Sequence, residues 1–304
     1  MAAPFPSPTT TWHSNTYPSL SPSRPELSAK GKTVIVTGGG SGIGAQTARY
    51  FAQAGASRIA LLGRREQPLL DTKASIERDH EGVDVFTAAT DVTKKSEVDA
   101  AFAKFLGDDK IDILVSGAAV VGPLDSVENV DSDKFLNALN VNVAGSLYVA
   151  KAFLKHAAPN ATVVEINSSA AHVNFGPGFA SYSVGKLAVF RLWDSLGFAN
   201  PEMSIFHLQP GIVDTAMNRE AGGVDAVGFS DHVSLPASFI VWLASPEASF
   251  LKGKYLWANW DVDELKAQAK KIQDTAYLSV SLVGWPFESG EWKLETAEGT
   301  WDSL

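Results

Sequence analysis

A tyrosine and a lysine one helical turn apart carry the most evident chemistry in this sequence. Tyr182 and Lys186 are four positions apart, and in a helix this spacing places both side chains on one face. A free tyrosine has a pKa of about 10 and exchanges protons poorly at neutral pH, but a nearby ammonium group favours the phenolate. The pair therefore predicts a proton-transfer group. Because Tyr-x-x-x-Lys also occurs by chance on protein surfaces, the residues around the pair must show whether it transfers protons.

Two serines precede the tyrosine at the end of a predicted strand. Residues 162–166 have the pattern of a buried strand, and Ser168 and Ser169 follow it. A hydroxyl at the carboxyl end of a strand in an open α/β sheet faces the crevice where ligands bind. There it can hydrogen-bond a substrate oxygen and polarise it. Ser168 lies 14 positions before Tyr182 and Ser169 lies 13 before it, so spacing alone leaves both as candidates for the catalytic hydroxyl.

A glycine-rich segment follows the first predicted strand and opens a helix. From Thr37 to Gly44 it reads Thr-Gly-Gly-Gly-Ser-Gly-Ile-Gly. Glycines permit a tight turn and let a diphosphate approach the backbone, and the N-terminus of the helix offers free N–H groups to phosphate. The segment could be a tight turn and no more, but its place between a strand and a helix predicts dinucleotide binding.

The end of the second predicted strand indicates which nicotinamide cofactor binds. Gly63 stands where NAD enzymes usually carry an acidic residue, and Arg64 follows it. A guanidinium group forms charge-assisted hydrogen bonds with a ribose 2′-phosphate. We therefore predict NADP(H), with NAD(H) less favoured. The plainer alternative is that Arg64 and Arg65 merely begin a solvated helix.

Short apolar segments alternate with longer segments of helical periodicity from residue 32 onward. Several of the short segments are apolar on both faces, as in a parallel sheet covered by helices on both sides. Such alternation predicts an α/β fold, a single-domain Rossmann-type doubly wound parallel sheet of about seven strands. Predicted strands span 33–37, 58–62, 83–88, 111–116, 162–166, 203–209 and 255–260, and predicted helices span 43–54, 66–79, 95–106, 133–155, 181–199 and 234–244.

Segments of different composition flank this pattern. Residues 1–30, rich in Pro, Ser and Thr, are predicted to form an extended arm that packs on the body through Trp12 and Tyr17. Residues 31–261 would be the dinucleotide-binding and catalytic domain, and residues 262–304 a C-terminal extension that begins with a helix. The aromatic tail of that extension is expected to cover an apolar surface; it contains Trp285, Phe287, Trp292 and Trp301.

Composition excludes several classes of protein. The 304-residue chain has a net charge of −9, which disfavours nucleic acid and anionic membranes as partners. It contains no cysteine and only six scattered histidines, so we predict no disulfide, no thiolate nucleophile and no metal site. It has no apolar run long enough to span a membrane. Its first residues lack the basic start and apolar core of a secretory signal, so we expect a cytoplasmic protein.

The glycine segment together with Tyr-x-x-x-Lys resembles the short-chain dehydrogenase/reductase family, whose signature is Thr-Gly-x-x-x-Gly-Ile-Gly. The resemblance covers roughly residues 30–261. It implies hydride transfer between the nicotinamide and a ketone, aldehyde or alcohol on a small-to-medium apolar substrate, with Tyr182 as general acid/base. The family pattern Ile-Ser-Ser-x-Ala favours Ser168 over Ser169. The Trp-rich end and Pro-rich arm resemble fungal members of unassigned substrate, some of which serve secondary metabolism.

The resemblance assigns roles to further residues. Asn-x-x-Gly matches Asn142 and Gly145, and Asn142 would hold a water that links Lys186 to solvent. Pro-Gly-x-Val-x-Thr matches residues 210–215, where the backbone of Ile212 and the hydroxyl of Thr215 would hold the nicotinamide amide. The predicted catalytic residues are Asn142, Ser168, Tyr182 and Lys186, and the predicted cofactor-binding residues are Gly38, Ser41, Gly42, Ile43, Gly44, Arg64, Asp91, Asn142, Tyr182, Lys186, Ile212 and Thr215.

One motif departs from the family, and two other functions compete. Where the family has Asn-Asn-Ala-Gly, residues 116–119 read Ser-Gly-Ala-Ala, so the Asn hydrogen bonds are lost. The alternatives are an epimerase, dehydratase or cyclase of the same fold, or a non-catalytic NADP(H)-binding regulatory protein. The intact catalytic set argues against the latter. Family members pair their long helices, here 133–155 and 181–199, across a dimer axis, so we predict a homodimer or homotetramer.

Overall fold

Seven strands form one parallel sheet in the computed structural model, which describes residues 4–282. The strands are β1 (Thr33–Thr37), β2 (Arg58–Gly63), β3 (Asp84–Ala89), β4 (Ile111–Ser116), β5 (Ala157–Ile166), β6 (Ser204–Gln209) and β7 (Tyr255–Trp257). Their order is β3-β2-β1-β4-β5-β6-β7. The winding reverses between β1 and β4, and in such sheets the crevice at the carboxyl ends of the strands beside this reversal binds ligands.

Helices cover both faces of the sheet. They are α1 (Gly42–Gln53), α2 (Glu66–Asp79), α3 (Lys95–Leu106), α4 (Ser132–Leu139), α5 (Gly145–His156), α6 (Ala180–Ala199), α7 (Ala216–Glu220), α8 (Ser234–Leu243), α9 (Val262–Ala267) and α10 (Ala269–Gln273). Val34 and Val36 pack with α1 and α8 on one face, whereas Ile35 packs with α3 and α5 on the other. The central strands therefore need apolar residues at every position, which confirms the predicted doubly wound sheet.

The long helix predicted over 133–155 is interrupted. α4 ends at Leu139, a π-helical turn spans Asn140–Ala144, and α5 begins at Gly145. Inside the turn, the side chain of Asn142 pairs with the backbone of Val120 on both its polar atoms, at 2.9 Å each. The predicted helix therefore runs through this segment, and its α-helical hydrogen bonding is interrupted by one wider turn that the sequence pattern did not indicate. Such turns occur frequently at functional sites.

The N-terminal arm packs on the body beside the segment after β7. Trp12 is buried and forms an antiparallel bridge with Trp260. The hydroxyl of Tyr17 accepts a hydrogen bond from the N–H of Val262 at 2.8 Å. These contacts agree with the expected packing of Trp12 and Tyr17, and two short 3-10 turns (Pro18–Leu20 and Pro25–Leu27) add to the extended arm.

The segment after β7 differs from the single helix expected near 262–272, since α9 and α10 are separated at Gln268. The aromatic tail with Trp285, Phe287, Trp292 and Trp301 lies outside the described residues. Across residues 4–282, no helix combines the length and the apolar character needed to cross a membrane.

Candidate active site

The glycine segment forms a tight turn between β1 and α1. Gly38 adopts a φ of +75°, in the left-handed region that favours glycine. A methyl group at Gly44 would lie 2.3 Å from the carbonyl oxygen of Gly38, so only glycine lets the helix start this close to the strand. Five predicted cofactor-binding residues border one cleft of about 1020 Å³, namely Gly38, Ser41, Gly42, Ile43 and Gly44. The N-terminus of α1 therefore faces a space where a diphosphate can bind.

Arg64 and Asp91 border the same cleft, after β2 and β3. Asp91 accepts hydrogen bonds from the backbone N–H of Thr93 at 3.0 Å and from its hydroxyl at 2.8 Å. These bonds, with a smaller contribution from the charge of Arg64, hold the pKa of Asp91 below its ordinary value. Arg64 is exposed and forms no salt bridge within residues 4–282, which leaves its guanidinium group available to an anion.

The loop after β4 is tied to the phosphate turn by a single hydroxyl. The Oγ1 atom of Thr37 accepts hydrogen bonds from the N–H groups of Gly117 and Ala118, at 3.0 and 3.2 Å. This loop is the place where the chain lacks the two asparagines of the family pattern. The threonine at the end of β1 thus supplies side-chain hydrogen bonding at this loop.

Tyr182 and Lys186 lie near the start of α6. The Nζ atom of Lys186 is 5.8 Å from the centroid of the Tyr182 ring, as residues one turn apart on one face should be. Lys186 is 5% exposed, and its ammonium group donates to the carbonyl of Ile166 at 2.6 Å. Tyr182, Lys186 and Ser168 all border the cleft that contains the phosphate turn. The geometry thus brings a phenol, an ammonium group and a hydroxyl to one cavity.

The two candidate serines differ in their exposure. Ser168 is half-buried, whereas Ser169 is only 3% exposed and its N–H donates to Oε1 of Gln209 at 3.0 Å. Both border the cleft. The greater exposure of Ser168 favours it as the hydroxyl that a substrate reaches.

The buried side-chain amide of Asn167 connects Ser168 with Lys186. The Nδ2 atom of Asn167 donates to both carboxylate oxygens of Glu165, at 2.9 and 2.8 Å, and to the backbone carbonyl of Lys186 at 3.1 Å. Its Oδ1 atom accepts from the N–H of Ser168 at 2.7 Å and from the hydroxyl of Tyr255 at 3.0 Å. One side chain therefore sets the position of the Ser168 backbone relative to the turn of α6 that carries Lys186.

The carboxylate of Glu165 has a second neighbour, the Nδ1 atom of His207 at 3.2 Å. Glu165 and His207 are 1% and 0% exposed. Sequence reasoning missed these residues as parts of the site. The signal was present, since an acidic residue inside an apolar strand needs buried hydrogen-bonding partners. One of its partners, Asn167, follows the same strand, and the other, His207, lies on β6.

Asn142 lies behind the cleft and is 2% exposed. A methyl group at Gly185 would lie 3.3 Å from its Nδ2 atom, so Asn142 packs directly on α6, next to Lys186. Both polar atoms of its side chain are already paired with Val120. These bonds hold the Asn142 side chain on Val120, which leaves the backbone of the π-helical turn as a further place for a water that links Lys186 to solvent.

Ile212, predicted to hold the nicotinamide amide through its backbone, borders the cleft. Its N–H donates to Oδ2 of Asp231, and its carbonyl accepts from the N–H of Asp231, both at 2.7 Å. Asp231 thus fixes the position of the Ile212 backbone at the edge of the cleft. Thr215 borders the cleft beside Gly42, and its hydroxyl accepts from the N–H of Asn218 at 3.1 Å, which caps α7.

A family model described as short chain dehydrogenase matches residues 32–223. The chain belongs to the short-chain dehydrogenase family. Among its relatives, the short chain dehydrogenase/reductase AacuD of Aspergillus aculeatus is 35% identical over 280 residues, which cover 91% of this chain and 96% of that protein. The short chain dehydrogenase citE of Monascus ruber is 34% identical over 89% of this chain and 94% of its own length.

Solved short-chain dehydrogenases share the fold. A dehydrogenase/reductase from Sinorhizobium meliloti has a TM-score of 0.69 and 25% identity, and the match covers 79% of this chain and 97% of that one. Members of this family are oxidoreductases that use NAD(P)(H) and bind small-molecule substrates. Family membership thus supports an enzyme that acts on an alcohol or a carbonyl group.

The buried amide can be tested by Asn167→Ala. The change removes two hydrogen bonds from a buried carboxylate and frees the Ser168 N–H and the Lys186 carbonyl. Leaving a buried charge short of partners typically costs about 3–5 kcal/mol, so we expect a loss of that size in the free energy of unfolding, measured by urea titration.

The matched control is Asn129→Ala, which removes an exposed amide that donates to Ser126. It should change the free energy of unfolding by less than about 0.5 kcal/mol. Equal effects of the two changes would show that the Asn167 contacts do not stabilise the fold.

Proposed function

We propose that this protein is an NADP(H)-dependent oxidoreductase that interconverts a ketone or aldehyde with an alcohol on a small-to-medium apolar substrate. The observation that carries the proposal is the shared cleft of Tyr182, Lys186 and Ser168 with the glycine turn. Residues 31–261 would form the dinucleotide-binding and catalytic domain, with residues 1–30 and 262–304 as its arm and extension.

The proposed chemistry divides into hydride transfer and proton transfer. When bound, the nicotinamide supplies or accepts the hydride. Ser168 hydrogen-bonds the carbonyl oxygen and polarises it, and Tyr182 donates a proton to that oxygen as it becomes an alkoxide. In the reverse direction, Tyr182 accepts the proton from the alcohol.

Lys186 has two proposed roles beside the tyrosine. Its ammonium group favours the phenolate that Tyr182 leaves behind and holds the ribose hydroxyls of the cofactor. A water at the π-helical turn of Asn142 would return the proton from solvent. The carbonyl of Ile166, which accepts from Nζ at 2.6 Å, keeps the ammonium group at this position.

The preference for NADP(H) is supported by the position of Arg64. It follows β2 at the edge of the cleft, and its side chain is exposed. Among the described residues that border the cleft, Asp91 is the one acidic residue that could neutralise its charge. A guanidinium group in this place suits the dianionic 2′-phosphate. Gly38, Ser41 and Ile43 would contact the rest of the cofactor, Asp91 its adenine, and the Ile212 backbone and Thr215 its nicotinamide amide.

The proton-transfer role is tested by Tyr182→Phe. Loss of the hydroxyl should lower kcat for ketone reduction by about 10²–10⁴-fold, while the Kd for NADPH changes little. A panel of ketones followed at the nicotinamide absorbance measures the first, and fluorescence titration measures the second. Tyr277→Phe, at an exposed tyrosine, should leave both unchanged. Full activity of Tyr182→Phe would refute the mechanism, and product analysis would separate an epimerase, dehydratase or cyclase.

The cofactor preference is tested by Arg64→Ala. Because charge-assisted hydrogen bonds to the 2′-phosphate would be lost, we expect the Kd for NADPH to rise about 10–100-fold and that for NADH to stay within about twofold. Arg78→Ala is the control, since the Arg78 side chain is 72% exposed and pairs with Asp79. An equal loss of affinity for both cofactors would contradict the assignment.

We further propose a homodimer or homotetramer through α5 and α6. Leu147, Leu154, Val184 and Leu187 on these helices are 40%, 41%, 49% and 43% exposed. Leu187→Glu should shift sedimentation velocity profiles toward the monomer, whereas Leu70→Glu, at a leucine of α2 that is 40% exposed, should not. A wild-type protein that sediments only as a monomer would exclude this assembly.

A further inference from the structure

The beginning of the N-terminal arm reaches the candidate active site. Phe5 is half-buried and borders the cleft that contains Tyr182. Its ring centroid lies 5.4 Å from that of Trp257, 6.3 Å from Trp12 and 6.1 Å from Phe229. These spacings are those of favourable aromatic contacts. We call Phe5, Trp12, Phe229 and Trp257 the aromatic wall.

Of the four residues in the aromatic wall, Phe5 is the one that borders the cleft, and Trp12 and Trp257, which are 7% and 6% exposed, pack behind it. Trp257 ends β7, and its Nε1 atom donates to Nε2 of His172 at 3.2 Å, four positions after Ser168. Arg64 and Asp91 follow β2 and β3, on the opposite half of the sheet. The wall therefore lies beyond the proposed catalytic groups, away from the residues that suit the cofactor.

The arm is fastened close to this wall. The carboxylate of Glu264 accepts from the N–H of Thr10 at 2.6 Å, from its hydroxyl at 2.9 Å and from the N–H of Thr11 at 2.9 Å. Although burial raises the pKa of Glu264, these bonds outweigh it and lower the pKa to about 2. His13 adds a contact of 2.8 Å to Asp261. At neutral pH the carboxylate is ionised, and the arm is held by charge-assisted bonds.

We propose that the arm is part of the substrate-binding site and that Phe5, within the aromatic wall, selects carbonyl compounds that carry a planar aromatic ring. This inference rests on the proposed function. A planar ring makes edge or offset contacts with Phe5, which the other aromatic residues hold in place, and it excludes water from this apolar surface. Phe175 and Phe179, which border the same cleft, extend this apolar surface. A short aliphatic ketone has no ring to pack against Phe5 and gains little from it.

The test compares two ketones of different size with NADPH. We expect Phe5→Ala to lower kcat/KM for 2-acetylnaphthalene about tenfold or more, because the aromatic contact is lost, and to lower kcat/KM for 2-butanone far less. Phe198→Ala, at a phenylalanine that is 92% exposed on α6, should leave both values unchanged. The decisive quantity is the ratio of kcat/KM for 2-acetylnaphthalene to kcat/KM for 2-butanone. If this ratio is unchanged in Phe5→Ala, the inference is overturned.

A second variant tests the arm without touching the wall. Glu264→Gln removes the charge that fastens Thr10 and Thr11, so it should move the ratio in the same direction as Phe5→Ala. If Phe5→Ala lowers the ratio and Glu264→Gln does not, Phe5 contacts the substrate but its fastening is unnecessary, which overturns the role of the arm.

Binding measurements separate this inference from the proposed function. Calorimetry measures the Kd of 2-acetylnaphthalene for the NADPH complex of the otherwise inactive Tyr182→Phe variant, with and without Phe5→Ala. If loss of Phe5 weakens the binding of 2-acetylnaphthalene but the wild type turns over no ketone, the proposed oxidoreductase function is refuted and the role of the aromatic wall is retained. If the wild type turns over ketones but shows no binding preference for the aromatic probe, the proposed oxidoreductase function is retained and the role of the aromatic wall is refuted.

Discussion

The relative position of Ser168 and Lys186 depends on one buried amide and the carboxylate beneath it. Asn167 bonds the backbone of Ser168 on one side and that of Lys186 on the other, and Glu165 holds its Nδ2 atom with both oxygens. A carboxylate that is 1% exposed is costly to bury without several donors. The same bonds that satisfy Glu165 therefore fix the orientation of Asn167, and through it the distance between a strand end and a helix.

The sheet aligns the partners of that carboxylate. Glu165 on β5 is in register with His207 on β6, and His207 is in register with Tyr255 on β7. Burial and the charge of Glu165 raise the pKa of Tyr255 well above its ordinary value, so its hydroxyl keeps its proton and shares it between the carbonyl of Ser168 and Oδ1 of Asn167. Three adjacent strands thus place the Glu165 carboxylate, the His207 ring and the Tyr255 hydroxyl side by side. Their polar atoms lie beneath the start of α6.

Local patterns predicted most of the fold and part of the candidate site. The glycine turn, Arg64 and the Tyr182–Lys186 pair follow from spacing along a strand end or a helix, and such spacing is visible in the sequence. The residues that were missed are those whose partners are remote. Phe5 contacts Trp257 across most of the chain, and Glu165 and Asn167 find His207 and Tyr255 on other strands.

Two contacts that the local patterns did not predict have the same origin. The N–H of Ile212 is taken by Asp231, 19 positions later, which no motif around Pro210 and Gly211 records. The helix over 133–155 widens into a π-helical turn where Asn142 pairs with Val120, 22 positions earlier. In both places a polar group has found a partner outside the segment in which its role was predicted. Buried backbone and amide groups must be paired, and the choice of partner is made by the tertiary structure.

The proposed separation of the cleft into a cofactor end and a substrate end explains why family membership indicates the chemistry better than the substrate. The family model matches residues 32–223, which include the glycine turn and the proposed catalytic groups. All four residues of the aromatic wall lie outside that span, in the arm, after α7 and on β7. The fungal relatives match about nine tenths of the chain. The aromatic wall therefore lies outside the span that the family model matches, and the proposed substrate preference can change there without altering the glycine turn.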